Sequence, residues 1–152
     1  MFLEPDNYQK IKIPISRIVR KNKKENRVTL QKTFSLDDHL SQASRETFSL
    51  FNTLREKITS LDENIIEAPK AKYIAYKTST NFVDVVIMRS SLKIFLNIKS
   101  VRLNDPSGLA RDLTKPKPIG HWGNGDYEVK LEKKSDLEKV FNLIKQSYNF
   151  NK

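Results

Sequence analysis

From Leu36 onward, apolar residues recur at spacings of three and four: Leu36, Leu40, Ala43, then (past Thr47) Phe51, Leu54, Ile58 and Leu61. That period gathers them on one face of an amphipathic helix. Ser35 before Leu36-Asp37-Asp38 reads as a capping-box-like start with acids in the first turn. Asp62-Glu63-Asn64 reads as a stop. The pattern predicts one long helix of roughly 26 residues, about 39 Å at ~1.5 Å per residue.

The period then drops to two. Ala71 to Thr78, Phe82 to Met88 and Leu92 to Ile98 read as three strands joined by short polar turns. Phe82 to Met88 is nearly continuous in apolar residues, as a central strand would be. Tyr127, Val129 and Leu131 alternate with Glu128, Lys130 and Glu132, a fourth strand with one wet face. Ser135-Asp136-Leu137-Glu138 has the form of a capping box. Leu137, Val140, Phe141, Ile144 and Tyr148 then mark a terminal helix. The fold class expected is α+β: a long helix, an antiparallel meander of three to four strands and a C-terminal helix, both helices on one sheet face.

Between the third and fourth strands lies a segment of unusual composition, Asn104 to Asp126. It holds all four glycines, the one tryptophan (Trp122), His121 and three of the six prolines. Glycine opens backbone conformations with φ > 0 and proline fixes φ, so the segment asks for a specific irregular path. Asn124-Gly125 is a strong hairpin signal and predicts a ribbon pairing Ile119 to Gly123 with Asp126 to Leu131. Gly108 to Asp112 reads as a short helix or turn.

Charge changes the picture at the N-terminus. Net charge is +10, and Lys10 to Lys32 holds nine basic residues against one acid, Glu25. Residues 1–33 are expected to form a basic arm, or a hairpin of Ile11 to Ile15 against Arg27 to Gln31, ahead of an α+β domain at 34–152. Such a block favours polyanions through phosphate neutralisation and counterion release. Lys12, Arg17, Arg20, Lys21, Lys23, Lys24 and Arg27 are the expected phosphate contacts. No apolar run is long enough to span a bilayer. With no secretion signal and no cysteine, a cytoplasmic setting without disulfides is expected.

Candidate chemistry centres on the glycine-rich segment. Arg111, Asp112, His121, Trp122, Asn124 and Asp126 are the candidate surface for a ligand or partner. Arg111 could bind phosphate bidentately or pair with Asp112 or Asp126, and Trp122 could stack on a base. Asp105 or Asp126 with Glu128-Val129-Lys130 resembles the Asp…Glu-x-Lys arrangement of restriction-type nucleases, where carboxylates hold a divalent metal and lysine helps activate water. The simpler reading makes Glu128 and Lys130 the outward residues of an alternating strand. Neither a P-loop, a dinucleotide fingerprint nor a nucleophilic triad is present. No catalytic residue, metal or cofactor is assigned.

Tyr73 to Lys77, Asn81 to Asp84, Gly108-Leu109-Ala110-Arg111-Asp112, Gly120-His121-Trp122-Gly123-Asn124-Gly125-Asp126 and Leu143 to Tyr148 together carry a resemblance. Over about Leu36 to Tyr148 the chain resembles a prokaryotic C-terminal domain of unknown function. That module occurs alone in proteins catalogued as predicted transport proteins, and behind restriction or nuclease-like defence domains. The resemblance implies the fold and no established activity. It implies a nucleic-acid or partner-recognition role, which agrees with the basic arm. The leading expectation is therefore a non-catalytic module that binds DNA or RNA, or docks to a nuclease-like partner. A metal-dependent nuclease, and a small-ligand or nucleotide sensor walled by His121 and Trp122, are the alternatives.

Overall fold

Ser35 caps the first helix as its sequence suggests. Its side chain accepts from the Asp38 backbone N–H while the Asp38 carboxylate accepts from the Ser35 N–H. In the computed structural model, which describes residues 33–100, 102–121 and 124–152, that helix ends after one turn and a half. Helix α1 spans Leu36–Leu40, and α2 restarts at Arg45–Thr59. The break is made by Ser44, whose extended backbone and side-chain bond to the Thr47 N–H cap a new helix. The Arg89 carbonyl accepts from both the Ser44 N–H and the Thr47 hydroxyl, and Gln42 donates to the Ile87 carbonyl. The end of a strand thus holds the junction. The expected single long helix is two helices. Its apolar period ran on unbroken because both segments face the same core.

The sheet has six antiparallel strands: β1 (Ile66–Pro69), β2 (Ile74–Lys77), β3 (Asn81–Ile87), β4 (Leu92–Leu96), β5 (Ala110–Asp112) and β6 (Tyr127–Leu131), in the order β1-β2-β3-β4-β6-β5. Three to four strands were expected, and the two additional ones form the edges. Edge strands pair on one side only, so they can be short and carry little apolar pattern. In β1, four residues include Glu67 and Pro69. The three residues of β5 come from the stretch read as a helix or turn. Helix α3 (Leu137–Asn151) closes the chain behind a 3₁₀ turn at Lys134–Asp136. Its N-cap is Asp136, which makes no side-chain capping bond, so the capping box expected at Ser135 is not formed.

One sheet face is covered by helices. Ile74, Val85, Ile94 and Val129 lie in register across it and join Leu54 and Ile58 of α2 and Val140 and Ile144 of α3 in one core. All eight are essentially inaccessible to solvent. A register shift between β2 and β3 lets Phe82 leave the strict alternation and meet Tyr148 of α3 edge to face, ring centroids 5.3 Å apart. Arg55 binds Glu67 through two N–H···O bonds of 2.6 and 2.9 Å, and Tyr76 donates to the same carboxylate. Among the described residues no helix is long and apolar enough to cross a membrane. The basic hairpin and the phosphate contacts expected before Thr33 lie outside the described residues.

Candidate functional site

The opposite face, which no helix covers among the described residues, carries the chemistry. Strand pairing lines up Ala68, Ala75, Asp84, Phe95, Glu128 and Arg111 in a single row across all six strands. Side chains alternate between faces, so the next row along contains Val86, Lys93 and Lys130. Lys93 and Lys130 stand directly opposite one another on β4 and β6.

Asp84 is 1% exposed and lies in the middle of a strand buried on both faces. Its Oδ2 accepts from the Asn124 backbone N–H at 2.8 Å and its Oδ1 from the Asn81 amide at 3.1 Å. Burial pushes its pKa up to about 6, while those two bonds and nearby His121 oppose the rise. Burial, and to a lesser degree Asp84, also raises the Tyr73 phenol. Asp84 therefore anchors the glycine-rich segment to the sheet at the cost of burying a carboxylate.

That segment is fixed at several further points. Leu113 donates to the Asp126 carbonyl at 2.7 Å and Ile119 to the Leu113 carbonyl at 2.8 Å. Gly125 adopts φ +90°, and a Cβ placed there would lie 2.0 Å from the Leu96 carbonyl oxygen. The glycine permits both the positive φ and the close pass over β4. Asn124-Gly125 is thus a crossing over β4, and the hairpin partner of β6 is β5 in place of Ile119 to Gly123.

Held this way, His121 stacks on Phe95 with ring centroids 5.1 Å apart and planes 9° from parallel. Its Nδ1 is buried and has no hydrogen-bond partner. Phe95 is almost completely covered, and His121 is half-buried. Beside the stack opens a cleft of about 280 Å³ lined by Lys93, Arg111, Ile119, Glu128 and the two stacked rings, with Val86, Met88, Leu113 and Gly120 also contributing. Arg111 faces Glu128 at 3.9 Å, and its side chain is 62% exposed. At that distance the pair attracts without a hydrogen bond between them.

Two of the expected surface residues, Arg111 and His121, meet in this cleft. Three do not bring their side chains there. Asp112 accepts from the Ser100 hydroxyl at 2.6 Å and from Thr114, bonds that lower its pKa to about 2. Asp126 accepts from the Ser100 N–H at 2.7 Å, and Asn124 contributes its backbone N–H to Asp84. These three shape the loop. Neither expected partner of Arg111, Asp112 nor Asp126, is the one it takes. Trp122 lies outside the described residues. Asp84, Phe95 and Lys93 were not among the expected site residues. A lone aspartate within Phe-Val-Asp-Val-Val-Ile-Met was the available signal, since a charge in a central strand needs built partners.

The carboxylates of the nuclease alternative have separate engagements. Asp105 accepts from the Leu109 and Ala110 N–H groups, and Lys130 pairs with Glu132 at 2.5 Å. Among the described residues no three His, Asp or Glu side chains converge to hold a metal. A larger groove of about 460 Å³ runs along α2 toward Lys134. Among its described lining residues the bases Arg45 and Lys134 are matched by Glu46 and Glu132 and none is aromatic, so the smaller cleft has the more distinctive chemistry.

A protein of Haemophilus influenzae described as "Uncharacterized protein" is 35% identical over 116 residues, which cover 76% of this chain and 37% of that protein. The chain therefore spans a little over a third of that relative's length. No solved structure matches it. The sequence profile of the family described as Domain of unknown function (DUF5655) matches residues 36–151, from the first helix through the end of the last, and the chain belongs to that family.

Proposed function

We propose that this unit is a non-catalytic recognition module for nucleic acid, and that it uses the helix-free face of its sheet. The observation that carries the reading is the opposed pair Lys93 and Lys130, with Arg111 on the neighbouring strand. Like charges directly opposite in an antiparallel pair cost stability. Lys130 is partly offset by Glu132, whereas Lys93 has Val86 on its other side. A phosphate backbone laid along this face would supply the missing counter-charge. The stacked rings of Phe95 and His121 sit next to these cations, the combination that single-stranded nucleic acid sites use. The basic residues Lys12, Arg17, Arg20, Lys21, Lys23, Lys24 and Arg27 would make phosphate contacts of their own.

The resemblance to modules that follow restriction or nuclease-like domains supports the same ligand, and suits a cytoplasmic module serving a nuclease-like partner. The greater length of the Haemophilus influenzae relative accords with a unit joined to others.

Fluorescence anisotropy with a labelled single-stranded oligonucleotide tests the proposal on the full chain. Lys93→Glu/Lys130→Glu should weaken binding at least about tenfold at low salt. Lys139→Glu/Lys145→Glu on α3 makes the same change in net charge and should cost less than about threefold. Equal losses from the two pairs, or no binding by the unaltered chain, would refute it.

A further inference from the structure

We infer that the cleft beside His121 receives a single unpaired base carrying an exocyclic amine. This rests on the proposal that the same face binds nucleic acid, and it adds which strand form and which bases are preferred.

The cleft has a flat wall and a polar edge. His121 is backed by Phe95 within 9° of parallel, so the imidazole is held as a rigid plate. A base stacked there would replace water on an apolar surface continued by Ile119 and Met88. A volume of about 280 Å³ lies near the lower end of the range for small-molecule sites, roughly 300–1,000 Å³, and suits one base. A base in a duplex has both its faces stacked and cannot reach such a wall.

The polar edge consists of Glu128, which when ionised only accepts, and Arg111, which only donates. They stand 3.9 Å apart, too far to satisfy one another by hydrogen bonding. Each therefore retains capacity for a ligand. A base edge that fits presents a donor to Glu128 and, next to it, an acceptor to Arg111. Cytosine does so with its amine and ring nitrogen, adenine with its amine and N1, and guanine with its amine and N1–H beside O6. Thymine and uracil set their one donor between two carbonyls, and either carbonyl would oppose the second carboxylate oxygen of Glu128.

The phosphates would lie to one side, over Lys93 in the cleft wall and Lys130 beyond it. Lys93 and Lys130 lie two residues along their strands from Phe95 and Glu128, a separation of about 6.6 Å at ~3.3 Å per residue. A base against His121 thus leaves its own backbone over the lysines and clear of Glu128. A phosphate placed directly in the cleft would instead meet the Glu128 carboxylate.

Oligo(dC) and oligo(dT) of equal length separate the amine from stacking, since both bases are pyrimidines. For the full chain, oligo(dC) should bind at least about fivefold more tightly than oligo(dT), and oligo(dC) annealed to its complement should compete at least about fivefold less well than the single strand. Glu128→Gln, verified as folded by circular dichroism, should bring the dC-to-dT ratio below about twofold, because an amide can face either base. Equal binding of dC and dT by the unaltered chain, equal competition by the duplex, or an unchanged ratio in Glu128→Gln would overturn the base cleft while leaving nucleic-acid binding intact. Failure to bind any oligonucleotide at low salt would overturn both.

Discussion

Asp84 makes the stability of this unit fall as pH rises through the weakly acidic range. Its folded pKa of about 6 lies above the ordinary carboxylate value of 3.8, so the folded chain holds the proton more tightly than the unfolded chain. Well below pH 3.8 both states are protonated and its contribution is fully present. As pH rises from there, the unfolded chain releases its proton first and stability falls; above about 6 the loss is complete. A difference of about 2 units at ~1.36 kcal/mol each amounts to about 3 kcal/mol. Asp84→Asn removes this titration, together with its coupling to His121. The asparagine oxygen can still accept from the Asn124 N–H or from Asn81, at a cost that does not vary with pH over this range. Urea denaturation of both proteins from pH 4 to pH 8 isolates the effect. The stability of the unaltered chain minus that of Asp84→Asn should fall by about 2.5 kcal/mol across that range, the rest of the loss having occurred below pH 4. A difference that stays flat or rises would mean that Asp84 is not a desolvated carboxylate beneath the loop.

Two further substitutions probe the loop and the cationic row. Gly125→Ala combines the penalty of a positive φ with a Cβ 2.0 Å from the Leu96 carbonyl oxygen, and should destabilise by on the order of 3 kcal/mol in chemical denaturation. A loss under about 1 kcal/mol would show that the loop passes β4 at a greater distance. Lys93→Gln relieves the like charge facing Lys130, and should raise stability by a few tenths of a kcal/mol while weakening oligonucleotide binding. Loss of stability together with binding would remove the argument that this lysine is retained for a ligand.

The central elements were legible in the sequence because their patterns come from burial. Phe82 to Met88 and Leu92 to Ile98 carry the apolar residues that two covered faces demand, and they are β3 and β4. The edges were less legible. Ala110–Asp112 becomes a strand through its bonds to β6, a partner fifteen or more residues away, and three residues show no period of their own. The helix break at Ser44 was hidden because the Arg89 carbonyl that holds it is remote in sequence. At the site, Arg111 and His121 stood out by composition, and the structure brings them together. Asp112 and Asp126 stood out equally, yet they serve Ser100 and the loop. What composition could not convey is which face a residue reaches, and register across six strands decides that. Lys93 joins the site for this reason alone.

The central claim, that the cations of the helix-free face neutralise phosphates, is tested most directly by salt dependence. Binding of a single-stranded oligonucleotide would be measured across a series of salt concentrations for the full chain and for Lys93→Gln/Lys130→Gln. Each lost phosphate contact on a single strand lowers the slope of log K against log salt by about 0.7. Removing these two cations should therefore reduce its magnitude by about 1.4, with the residual slope belonging to other basic residues. An unchanged slope would contradict the account, because the bound strand would then lie elsewhere on the molecule.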